Sequence, residues 1–150
     1  MNRLMAAIER ILALAFIVAV CLNFANVVGR YGFGTSIAGG DEVQVYIMVW
    51  MAFLGAVLIS WRSEHLRMDV LATRFPERWR EVLKWIESVL VITLAAFALW
   101  QSWNYTQQII AIGRRSDNAG IPMWIPHSAV GIGFALVLLV TVLQLIKKAR

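Results

Sequence analysis

Charge is scarce in this sequence, and it is missing in blocks. Asp, Glu, Lys and Arg make up 15% of the 150 residues and hydrophobic residues 60%, against about 25% charge in an ordinary soluble domain. Nineteen residues between Arg10 and Arg30 carry none of these charges, and another nineteen lie between Glu42 and Arg62. Twenty-six separate Glu87 from Arg114, and twenty-nine separate Asp117 from Lys147. A helix needs roughly 20 apolar residues to cross a hydrocarbon layer of about 30 Å. The four blocks therefore predict an all-α integral membrane protein with four transmembrane helices. Helix is the form a single span must take, because lipid cannot solvate unpaired backbone groups.

Cysteine, histidine and proline are also sparse, with one, two and three residues. A lone Cys21 excludes an internal disulfide. Val20 stands before it where a lipidation site would place a small residue, so Cys21 reads as a small hydrophobe in a helix. The first apolar run exceeds the 7–15 residues of a signal core, and no A-x-A site follows it. It is expected to stay as a helix. Two histidines, His65 and His127, fall at opposite membrane faces, which rules out a shared haem iron. No histidine or acid spacing suits a metal, and no cofactor is expected.

The net charge of +5 invites a nucleic-acid reading until its distribution is followed. Arg3 and Arg10, then Arg62, Arg67, Arg74, Arg78, Arg80 and Lys84, then Lys147, Lys148 and Arg150 would share one side. Only Arg30, Arg114 and Arg115 fall on the other. Lys and Arg concentrate in cytoplasmic loops. The expectation is therefore cytoplasmic termini and middle loop, with no nucleic-acid partner.

The approximate helices are 11–28, 41–61, 77–112 and 126–146 of a single membrane domain. Residues 1–10 are expected to form an interfacial lead-in, with Leu4 and Ile8 at helical spacing. Between the second and third helices, Leu66, Val70 and Leu71 share a face beside Arg67 and Arg74, predicting a short interfacial helix over about 66–74. Arg62, His65, Arg78 and Trp79 extend this candidate lipid-headgroup surface. Trp85 and Trp103 are eighteen residues apart, about 27 Å of helix, and suit the two aromatic belts. Gly113 is placed to cap the third helix, and Pro126 to begin the fourth.

What chemistry do these residues offer? The stretch "GGDEVQVYIMVWMAFLGA" sets Asp41 and Glu42 directly before an apolar run. A transporter would use such acids to bind an ion; a structural protein would use them to mark where the membrane begins. An ion-coupled carrier exposes ionisable groups near the midplane, where each is costly. None of the four windows carries Asp, Glu, Lys or Arg. Small multidrug exporters, a four-helix class of similar length, rely on a buried acid in the first helix; this chain has only Asn23 and Asn26 there. These two are read as interhelical hydrogen-bonding residues. Ala52, Gly55 and Ala56, with Ala129, Gly131, Gly133 and Ala135, allow close helix contact, a feature common to many membrane bundles. Trp50 and Trp100 fall away from the interfaces, for internal packing or as a docking face.

The ordered series Arg30-Tyr31-x-Phe33, Asp41-Glu42, Trp50 with "FLGA", then Arg62, His65 and Asp69 resembles the small membrane subunit of tripartite ATP-independent periplasmic (TRAP) transporters. "GIPMWIPHSAVGIGFALVLL" is similar to the family's approach to the fourth helix, although Val130 stands where many members have proline. The likeness spans nearly the whole chain. It implies a non-catalytic scaffold in the bacterial inner membrane, in stable complex with a large membrane subunit. A periplasmic binding protein would deliver an organic acid, and the large subunit would move it by a sodium-coupled elevator motion. Asp41 and Glu42 would then cap helix two, where negative charge favours the helix start. Arg30, Tyr31, Asp41, Glu42, Trp50, Gly55 and Gly133 become candidates for the scaffold or partner interface. The alternatives are a self-sufficient small transporter or channel, and a membrane anchor of a respiratory enzyme.

Overall fold

A computed structural model describes residues 2–62 and 77–149. Among the described residues there are four helices: α1 (Asn2–Gly32), α2 (Gly40–Arg62), α3 (Glu77–Ile112) and α4 (Trp124–Ala149). Each holds a stretch long and apolar enough to cross a membrane. The expected interfacial helix over 66–74 lies outside the described residues.

The ends of the helices follow from local chemistry. Gly113, with φ of 66°, is the left-handed residue that stops α3. Arg114 N donates to Ile109 O and Gly113 N to Ile110 O, the paired pattern of a Schellman cap. A loop follows in which Arg115 and Pro122 form an isolated antiparallel bridge. Ser116 N donates to Ile121 O at 2.9 Å and Met123 N to Arg114 O at 3.0 Å, so the polar backbone is satisfied within the loop.

Residues 2–10 are not a separate interfacial lead-in. They are the first turns of α1, and Met5 and Ile8 are buried with Val57, Val137 and Val140. The reason is that the apolar spacing of the lead-in stays in phase with α1, so those side chains meet α2 and α4 rather than lipid headgroups.

Helix contacts are serial. α1 packs on α2, α2 on α4, and α4 on α3. α2 and α4 are therefore the inner members of the array, and the small residues of α4 let it lie close to both of its neighbours. Gly131 faces Ser102 and Leu99 of α3, while Gly133 faces Phe53 of α2. Phe53 and Phe134 meet edge to face with ring centroids 5.6 Å apart. α1 and α3 are the outer helices and expose long apolar faces, among them Ile17, Phe24, Leu90 and Leu94. The 33–39 and 113–123 connections lie together at one end of the array, here the loop end. The start of α1 and the last described turns of α2 and α4 lie at the other, the terminal end.

Candidate functional site

The loop end gathers side-chain hydrogen bonds that join helices to one another and to the two connections. Asn26 is buried in α1. Its Nδ2 donates to Asp41 Oδ1 at 2.6 Å, and its Oδ1 accepts from Ile37 N at 3.0 Å. One amide therefore ties α1 to both the first connection and the start of α2. Arg30 donates to the other Asp41 oxygen at 3.3 Å. Both side chains of that ion pair are largely exposed, so the bridge contributes about 0–1 kcal/mol at an aqueous surface. One turn closer to the middle of α1, Asn23 Nδ2 donates to Gln44 Oε1 of α2 at 3.1 Å. The two asparagines thus form the interhelical hydrogen bonds their spacing suggested.

Glu42 reaches the opposite way. Its carboxylate accepts from Ala119 N at 2.9 Å, and from Asn118 N and Asn118 Nδ2, both at 3.1 Å. Gly39 makes this docking possible. A β-carbon there would stand 2.6 Å from Ala119 Cα, and the residue adopts a φ of 73°. Two reasons, close approach and backbone conformation, therefore select glycine. Tyr46 adds a contact from its hydroxyl to Met123 Sδ at 3.3 Å, and the rings of Tyr105 and His127 lie 5.0 Å apart.

The two acids do not cap α2 through its own amides. They occupy the first turn of the helix, where the helix dipole still favours them, but their oxygens engage α1 and the 113–123 loop. Helix-start preference alone could not reveal this, because the donors are 15 and 76–77 residues away in sequence.

The other singled-out residues are dispersed. Tyr31 is 83% exposed beside the loop end, and Trp50 is half-buried in α2. Gly133 is buried against Phe53, whereas a β-carbon on Gly55 would meet nothing within 4 Å. Of the two glycine candidates for the scaffold or partner interface, Gly133 alone makes a close helix contact among the described residues. Arg62 pairs with Glu9 at the terminal end, and Trp79 is 60% exposed. His65, Arg67 and Arg74 lie outside the described residues, as does the side chain of Arg78.

Several participants carried no local signal. Gln144 of α4 donates to Ser60 O at 2.8 Å and Trp61 O at 3.1 Å, serving carbonyls of the last turn of α2. Asn118 and Ala119 sit in the 113–123 loop, far from Glu42 in sequence. Their one legible sign was Gly39 next to Gly40, a doublet suited to close approach. Chemically, this is a set of ties between helices. Its ionisable groups are spent on neighbouring chain rather than converging on an enclosed space.

Residues 19–150 match the family described as Tripartite ATP-independent periplasmic transporters, DctQ component. A putative TRAP transporter small permease protein of Haemophilus influenzae is 31% identical over 125 residues, covering 83% of this chain and 76% of that protein. The C4-dicarboxylate TRAP transporter small permease protein DctQ of Vibrio cholerae is 29% identical, covering 87% and 66%. The isethionate TRAP transporter permease protein DctMQ of Oleidesulfovibrio alaskensis is 26% identical over 64% of this chain, a stretch equal to 15% of that longer protein.

Proposed function

The chain belongs to the DctQ family of tripartite ATP-independent periplasmic transporters, and from that premise we propose that it is the fixed scaffold beside a large permease subunit. It is a non-catalytic, multi-pass membrane component of such a transporter. In this reading the large subunit carries an organic acid by a sodium-coupled elevator motion, and a periplasmic binding protein delivers it. The chain sits in the bacterial inner membrane with its loop end periplasmic and its termini cytoplasmic. Its basic segment around Arg62, His65, Arg67, Arg74, Arg78 and Trp79 lies against lipid headgroups.

One observation carries the scaffold role. Several amide side chains of the helices tie one helix to another, as Asn26 does to Asp41 and Gln144 to the end of α2. The four apolar blocks meanwhile contain no Asp, Glu, Lys or Arg. An elevator needs a frame that stays put while another part moves, and cross-tied helices supply one. The DctMQ relative, far longer than the matched stretch, supports a large membrane partner.

The test is co-expression with a large permease subunit and a binding protein of a transporter of this family. Expected are a stable two-subunit membrane complex and uptake in proteoliposomes only when both membrane subunits and the binding protein are present. Uptake by this chain alone would favour the self-sufficient carrier.

A further inference from the structure

The two outer helices of the array are chemically different. Along α3, Trp85, Ile86, Val89, Leu90 and Leu94 line an open apolar hollow. Its one hydroxyl, Thr93 Oγ1, is satisfied by Val89 O at 2.8 Å within the helix. Acyl chains meet every requirement of that surface.

The α1–α2 edge does not resemble it. An open groove of about 630 Å³ runs between the helices, walled by Phe16, Phe24, Met48 and Met51. Asn23 and Gln44 also line it. Their single mutual hydrogen bond uses one Asn23 donor and the Gln44 oxygen. The Asn23 oxygen and the Gln44 amino group have no partner among the described residues. A polar amide group facing hydrocarbon is costly unless it is hydrogen-bonded, and a lipid tail supplies no such bond. Asn23 is exposed and Gln44 half-buried, and a neighbouring helix can offer this pair both a donor and an acceptor, which an acyl chain cannot.

Helical register adds a second observation. Gln44, Met48, Met51 and Gly55 recur at spacings of four, three and four along α2, so they form one stripe. Gly55 is open, with nothing within 4 Å of a β-carbon placed there. A stripe with an amide at one end, adaptable methionines in the middle and an open glycine suits a close helix–helix approach.

We propose that the α1–α2 groove, from Asn23 and Gln44 to Gly55, is the seat of a transmembrane helix of the large subunit, and that the outer face of α3 meets lipid. That helix presents a hydrogen-bonding side chain to the amide pair and crosses closely at Gly55. This assignment rests on the scaffold reading and says which face of the scaffold is used.

The experiment places a photo-crosslinking amino acid at Met48 or at Leu90 in the co-expressed complex. Both side chains are more than half exposed, so neither replacement disturbs the interior. Expected is a covalent adduct with the large subunit from Met48 and none from Leu90. In parallel, Gly55→Leu should lower recovery of the large subunit several-fold while this chain stays in the membrane at its usual level. An intact complex that crosslinks from Leu90 and not Met48 overturns the groove and leaves the scaffold standing. So does a Met48 adduct with lipid, or with a second copy of this chain. Failure of the unlabelled chains to co-purify at all overturns both.

Discussion

Gly133 of α4 stands so close to Phe53 of α2 that a β-carbon on the glycine would lie 2.7 Å from the Phe53 β-carbon. Gly55, on the same α2, has open space at the equivalent atom. The two glycines look alike in sequence and are expected to respond differently. Gly133→Leu must force α2 and α4 apart, and overpacking of this kind costs about 1–3 kcal/mol. Gly55→Leu places its β-carbon clear of every described neighbour and should change the stability of this chain by less than about 0.5 kcal/mol. Thermal denaturation of the purified subunit in detergent checks the pair: only Gly133→Leu should melt early.

Asn26 is predicted to matter more than its size suggests. Asn26→Ala leaves the Ile37 N–H and one Asp41 oxygen without their partner, a loss of about 1–3 kcal/mol for a buried site. Arg30→Ala removes only an exposed ion pair and should cost about 1 kcal/mol or less. Hydrogen exchange at the start of α2 should accelerate clearly in the first variant and little in the second.

Orientation follows from the basic asymmetry. Reporters fused after Arg150, or within 64–80, should read cytoplasmic. Reporters at 34–38 and 116–120 should read periplasmic. Activity of a C-terminal reporter outside the cytoplasm would reverse the assignment.

The segment from His65 to Lys84 is expected to lie along the membrane surface, with Leu66, Val70, Leu71 and Trp79 toward lipid. Arg67, Arg74 and Arg78 would hold headgroups, each worth about 1 kcal/mol near an anionic surface. Spin labels along it should alternate between lipid and water exposure at helical period. Uniform water exposure would make it an ordinary basic loop.

The four spans were legible because blocks without charge are long enough to demand helix whatever the tertiary structure. The Schellman glycine at Gly113 was legible for a similar reason, since its signal is local. The serial order that places α2 and α4 inside was not, because hydrophobic faces in a membrane are not marked by polar opposites. Gly131 and Gly133 hinted at close packing, but Gly55 gave the same hint and a β-carbon there would meet nothing within 4 Å among the described residues. Asp41 and Glu42 were correctly placed at the start of α2. Their partners, Asn26, Asn118 and Ala119, were hidden by sequence distance, as was Gln144 beneath the end of α2.

The central claim is that this chain supports transport without taking part in its chemistry, and Asp41 and Glu42 are the acids that test it. Both accept hydrogen bonds from neighbouring chain, a role an amide oxygen partly retains. The measurement is uptake by the reconstituted complex at varied sodium, with Asp41→Asn and Glu42→Gln compared with the parent. The account predicts that any complex recovered intact keeps the parent's dependence on sodium, even where its yield or stability falls. An intact complex with a changed number of sodium ions per substrate would contradict it and make one of these carboxylates part of the coupling site.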